Sequence, residues 1–166
     1  MKALKGILRI MSWCVYAIIL ITIAIASPMV AGYKPVVVLS SSMEPEYPVG
    51  SVTYYKEVSF EEISVGDAIT FNLGEESLAT HRVVEIDEEN RTFVTKGDHN
   101  ESNDSNPISY TSVQGETVDI AINYAGYFIM HVQTWKVMVP CGVILLLDII
   151  STSDRNKNKK FKENEI

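Results

Sequence analysis

From Ile10 to Val30 the chain reads IMSWCVYAIILITIAIASPMV, 21 residues without a charge. As a helix rising about 1.5 Å per residue, such a run crosses a hydrocarbon core of roughly 30 Å. Residues 1–9 carry Lys2, Lys5 and Arg9 and no acid, the flank that holds a terminus in the cytoplasm and sends the chain beyond the apolar run outward. A chain of 166 residues is too small to bury a helix of this length and apolarity in a soluble core. The small-x-small pattern of Ala24-Ile25-Ala26 makes a cleaved signal peptide the competing reading. The apolar run exceeds the roughly 7–15-residue core of such peptides, which favours a retained anchor over 10–30 behind a cytoplasmic segment over 1–9.

Residues 32–122 have a different character. They hold five basic residues (Lys34, Lys56, Arg82, Arg91, Lys96) against 17 acidic ones, and the whole chain carries a net charge of −7. That balance argues against a nucleic-acid-binding surface. Short runs of β-formers alternate with turn signals: PVVVLS at 35–40, SVTYYKEV at 51–58, DAITFN at 67–72, THRVVEID at 80–87, RTFVTKG at 91–97 and ETVDIAI at 116–122. In the last, Val118, Ile120 and Ile122 alternate with polar or small residues, the pattern of a half-buried strand. The expected fold is mainly β, an antiparallel sheet closing toward a barrel or sandwich, forming an extracytoplasmic domain over 32–122.

Further on, Val137 to Ile150 is apolar but short and interrupted by Pro140 and Asp148, and 124–136 is rich in aromatics. Arg155, Lys157, Lys159, Lys160 and Lys162 come next. The spacing predicts a second membrane segment over 128–150 with a basic cytoplasmic tail over 151–166; an amphipathic helix lying on the membrane is the alternative. Cys14 and Cys141, the only two cysteines, fall in the apolar segments. Neither a disulfide scaffold nor a multi-cysteine zinc site is available.

Ser40, Ser42, His81, Asp98 and Asp104 are the residues that could carry chemistry. The stretch LSSSMEP, residues 39–45, comes directly after an apolar strand, so one of its serines can sit at a fixed strand exit. A neutral imidazole such as that of His81 is the natural general base for a serine. A carboxylate from the loop TKGDHNESND, residues 95–104, can orient that imidazole and stabilise the imidazolium. The cluster Asp98, His99, Glu101 and Asp104 matches no calcium or zinc loop spacing.

Taken in order, SSSMEP at 40–45, HRV at 81–83 and TKGDHNESND at 95–104 resemble the motif boxes of type I signal peptidases, the first matching S-x-S-M-x-P. His81 stands where the main bacterial branch has a lysine. The chain is therefore similar to the Ser-His branch of the endoplasmic reticulum, archaea and some spore-forming bacteria. The resemblance implies that Ser42 is the nucleophile and His81 the general base. Ser40 would assist the oxyanion alongside the Ser42 backbone N–H, with Asp104 the third catalytic member and Asp98 a supporting acid. Which of the two acids fills the third position stays open at this point. His99 stands where the branch often has Asn, and Ser41 where Gly is common. The resemblance further implies a membrane-bound serine endopeptidase without metal or cofactor. It would cut exported preproteins after small residues at the outer membrane face, with the bilayer and the secretion translocon as partners. The residues alone also fit a non-catalytic membrane-anchored β domain, an adhesin or assembly partner.

Overall fold

β-Branched and aromatic residues dominate the central segments, and in the computed structural model they form seven strands of one antiparallel sheet. The structure describes residues 2–74 and 77–163, with side chains described from 5 to 153. The strands are β1 (Lys34–Val37), β2 (Val52–Lys56), β3 (Ala68–Asn72), β4 (Leu78–Asp87), β5 (Thr92–Lys96), β6 (Ile108–Ser109) and β7 (Val113–Thr117). Their order across the curled sheet is β1-β2-β7-β3-β4-β5-β6, with every pairing antiparallel. The sheet lies in a compact unit, Ala26–Phe128, and takes the form of the open half of a barrel, as the strand-rich pattern predicts.

Burial along the strands shows which face is the core. In β5, Phe93 and Thr95 are buried while their neighbours are not, the period of two expected of a strand with one covered face. Phe93 packs with Phe60, Ile63, Ile69, Phe71 and Val83, and its ring lies 5.1 Å from that of Phe60. Arg91 lays its guanidinium over the Phe60 ring at 4.5 Å. Between the strands, Thr70 shares hydrogen bonds of 2.8 Å with both Thr80 and Thr117, so the polar atoms enclosed there satisfy one another. Gly115 has φ +154°, and a Cβ at this position would stand 2.2 Å from the Lys56 carbonyl oxygen. Only glycine lets β7 approach β2 so closely.

One segment departs from the sequence pattern. The strand expected over 116–122 is half right: β7 begins at Val113 and ends at Thr117. Val118 still donates its N–H to the Tyr54 carbonyl, but Ile120 donates back to Val118 and turns the chain. Ile120 and Ile122 are consequently exposed, not half-buried, and Ile122 makes only an isolated bridge to Val52. A tertiary contact overrides the alternation here, because Asp119 accepts a hydrogen bond from Tyr47.

The second unit, Met1–Ile25 with Ile129–Ile166, is helical in its described part. Helix α1 runs Lys2–Ala26, and the aromatic-rich segment after the sheet forms a short helix α2, Ala125–Val132. At Thr134 the hydroxyl bonds back to the His131 carbonyl at 2.7 Å, and a new helix, α3, runs Trp135–Glu163. Lys5–Ala31 and Trp135–Ser153 are both long and apolar enough to cross a membrane. The basic side chains from Arg155 to Lys162, and residues 164–166, lie outside the described residues. Phe93→Ala, which empties the centre of the β core, should lower the unfolding free energy by about 3–5 kcal/mol in a denaturant titration.

Candidate active site

Ser42 sits just beyond β1, where the chain leaves the sheet. The ladder continues through Val38, whose N–H reaches the Ser51 carbonyl at 3.0 Å and whose carbonyl receives the Gly50 N–H at 2.8 Å. The chain then turns, with Glu44 N–H on the Ser41 carbonyl and Tyr47 N–H on the Met43 carbonyl. Met43 and Tyr47, at 2% and 1% exposure, pack on Ala68 and pin this turn from below. Tyr47 also donates its hydroxyl to Asp119 at 3.2 Å. Burial, reinforced by that carboxylate, pushes the Tyr47 hydroxyl well above its usual range, so it remains a neutral donor.

His81 and Arg82 are neighbours on β4, and successive side chains of a strand leave it on opposite faces. The Nδ1 of His81 lies 2.6 Å from Oδ2 of Asp104. The same oxygen accepts the Thr95 hydroxyl at 2.6 Å, and Asp104 donates its own N–H to the Thr95 carbonyl at 2.8 Å. Asp104 is thus held by backbone and side chain together. Phe71 sets its ring edge-on to the imidazole, with centroids 6.1 Å apart. Arg82 takes the other acid: Nε and Nη2 donate to the two oxygens of Asp98 at 2.8 and 2.6 Å, and Nη1 to the Gly66 carbonyl at 2.8 Å. This two-pronged pairing matches the guanidinium fork to a carboxylate. Of the two candidate acids, then, Asp104 meets His81, while Asp98 braces the loop through Arg82.

That loop also holds the serine turn. His99 donates its backbone N–H to the Ser42 carbonyl at 2.9 Å. A Cβ on Gly97 would stand 2.6 Å from the same carbonyl oxygen, so a side chain there would push the turn away. The His99 imidazole itself is exposed. Ser40 and Ser42 bring their Oγ atoms to 3.2 Å. Both serines and His81 line a cavity of about 350 Å³ whose remaining wall is largely apolar, formed by Val36, Val38, Leu78 and Ala79 among others. Among the described residues, no three His, Cys, Asp or Glu side chains gather as a metal site.

Sequence reasoning named Ser40, Ser42, His81, Asp98 and Asp104. It passed over Arg82, Thr95, Tyr47 and Gly97. The first had a local signal, being an arginine directly beside the histidine in an acidic domain. Tyr47 and Thr95 carried none, since their partners lie 72 and nine residues away.

Known proteins extend this picture. Signal peptidase I W of Bacillus subtilis is 36% identical over 126 residues, 70% of this chain and 65% of its own length. The signal peptidase complex catalytic subunit SEC11 of Metarhizium robertsii is 29% identical over 127 residues, 69% of this chain and 74% of its own. The human catalytic subunit SEC11C is 36% identical over 73 residues, 42% of this chain and 38% of its own. The chain therefore spans somewhat less than two thirds of the Bacillus protein. No protein-family model matches it.

The Tyr47 anchor has a consequence for pH. Its folded state keeps a proton that the unfolded chain releases near the ordinary value of 10. The contribution to stability is fully present below pH 10 and is lost as pH rises beyond it. Melting curves should therefore fall above that pH, and Tyr47→Phe should make the fall shallower. Tyr54, also raised by burial, retains its share of the slope.

Proposed function

The chain belongs by homology with the type I signal peptidases, and from that premise we propose that it is a membrane-bound serine endopeptidase that removes signal peptides from exported preproteins. The observation that carries the reading is the 2.6 Å hydrogen bond between His81 Nδ1 and Asp104, with Ser42 and His81 lining the same cavity. An adhesin or assembly domain would need none of this, and the relatives do not favour that alternative.

In the proposed reaction Ser42 Oγ attacks the scissile carbonyl carbon, and its proton passes to His81 Nε2. Asp104 keeps the Nδ1–H tautomer in place and balances the imidazolium charge. The carbonyl π electrons move to oxygen, and the oxyanion takes hydrogen bonds from the Ser40 hydroxyl and the Ser42 backbone N–H. When the intermediate collapses, the C–N bond breaks and His81 returns the proton to the leaving amine, the new N-terminus of the mature protein. The signal peptide is left as an ester on Ser42. His81 then takes a proton from a water whose oxygen attacks this ester. The C–Oγ bond breaks as His81 returns that proton to Ser42 Oγ, and the signal peptide departs with a free C-terminal carboxyl group.

Substrate entry is by way of β1, which lies at one edge of the sheet and contributes Val36 and Val37 to the cavity wall. An extended preprotein adding as a strand there gains backbone hydrogen bonds, while the apolar wall receives small side chains before the cut. In this reading 10–30 and 128–150 anchor the enzyme in the cell membrane. The 32–122 domain lies outside, 1–9 and the 151–166 tail lie in the cytoplasm, and the translocon delivers the substrate.

Detergent-solubilised full chain, given a precursor with Ala-x-Ala before its cleavage site, should cut after the second Ala, as located by mass spectrometry. Ser42→Ala and His81→Ala should each lower kcat by at least about 10³-fold. Ser40→Ala should cost roughly 10²–10³. Full activity in folded Ser42→Ala would contradict the proposal.

A further inference from the structure

Near the start of α1, the side facing α3 is polar where an apolar stripe would be expected. Lys5, Arg9, Ser12 and Tyr16 recur at spacings of three and four, one stripe of a helix. Together with Asp148 and the hydroxyl residues Ser151 and Thr152 of α3, they enclose a cavity of about 250 Å³. Tyr16 donates its hydroxyl to Asp148 at 3.4 Å, and the Ser12 hydroxyl bonds back to the Leu8 carbonyl at 3.0 Å. The two cations differ from these. Among the described residues neither Lys5 nor Arg9 forms an ion pair, although both line the cavity beside a carboxylate. Both are exposed at the cavity, and long cationic side chains near the ends of membrane helices reach out to headgroup level, where anions are at hand. Trp13, ring-edge to Tyr16 at 6.3 Å, also lines the cavity and is the kind of residue found at headgroup depth.

Counting formal charges, Lys5 and Arg9 against Asp148 leave the cavity at +1, which one phosphodiester would neutralise. We infer that this cavity is a binding site for the phosphate of an anionic phospholipid from the leaflet around the start of α1, with Lys5 and Arg9 as the charged donors. Basic pockets between membrane helices on the cytoplasmic side hold such headgroups, and a phosphate takes charge-assisted hydrogen bonds from both cation types. Zwitterionic lipid offers the same phosphate but brings its own cation, so the site discriminates by net charge. The inference rests on α1 and α3 being membrane spans. It does not depend on the chemistry of Ser42.

The test uses the full chain with Trp135→Phe, so that Trp13 is the remaining tryptophan of the two in the sequence. It is reconstituted in phosphatidylcholine vesicles doped with brominated phosphatidylglycerol or brominated phosphatidylcholine. Flotation of protein with the vesicles checks the membrane reading by itself. Phosphatidylglycerol should quench Trp13 more strongly and saturably, and that preference should weaken about fivefold for each of Lys5→Gln and Arg9→Gln. A charge-matched control, Lys2→Gln or Lys162→Gln alone, should retain it. Equal quenching by the two lipids in floating protein would overturn the site. So would an equal loss in the control, which would mean diffuse surface charge only. Abolition of the preference by inorganic phosphate in the buffer would assign the cavity to the free ion and overturn the lipid source.

Discussion

The register of β4 is the constraint on which the rest of the site depends. This strand pairs with β3 along one edge and β5 along the other, setting His81 opposite Ile69 and Arg82 opposite both Ala68 and Lys96. Because adjacent side chains leave a strand on opposite faces, the two residues serve different acids, His81 meeting Asp104 and Arg82 meeting Asp98. A slip of one residue would exchange them, presenting a guanidinium where the imidazole belongs. The buried face resists that slip, since Val83 would leave the cluster of Phe60, Phe71 and Phe93. The geometry at the surface is therefore secured by packing beneath it.

The serine turn is held separately, by three kinds of contact. Met43 and Tyr47 fill apolar space under it, Asp119 receives the Tyr47 hydroxyl, and the His99 N–H grips the Ser42 carbonyl from the loop that carries both acids. That last bond ties the serine to the same segment that orients the histidine. A displacement of the 97–104 loop would move both at once. Such shared support is what keeps a catalytic constellation within the narrow tolerance chemistry demands.

Much of this was legible beforehand, for identifiable reasons. The runs at 51–58, 67–72 and 91–97 each contain a strand and 80–87 lies within one, because β-branched and aromatic residues bounded by turn residues leave little alternative. Ile108–Ser109 is too short to signal itself, and the alternation of Val118, Ile120 and Ile122 misled because a single tertiary bond to Asp119 bends the chain away. At the candidate site, motif order singled out Ser42, His81 and both acids but left the choice between Asp98 and Asp104 open. Spacing could not separate the two, since the acids sit six positions apart in one loop, and what distinguishes them in the fold is their partners, His81 for Asp104 and Arg82 for Asp98. Arg82, which occupies Asp98, was the missing term.

The central claim is that Ser42 is a nucleophile activated by the His81–Asp104 pair. The most direct measurement treats the full chain with a phosphonate electrophile on an Ala-x-Ala peptide, then locates the adduct by peptide mass spectrometry and times its formation. The account predicts one adduct, on Ser42, forming far more slowly in His81→Ala and Asp104→Asn. An adduct on Ser40 or Ser41, or a labelling rate on Ser42 unchanged in His81→Ala, would contradict it.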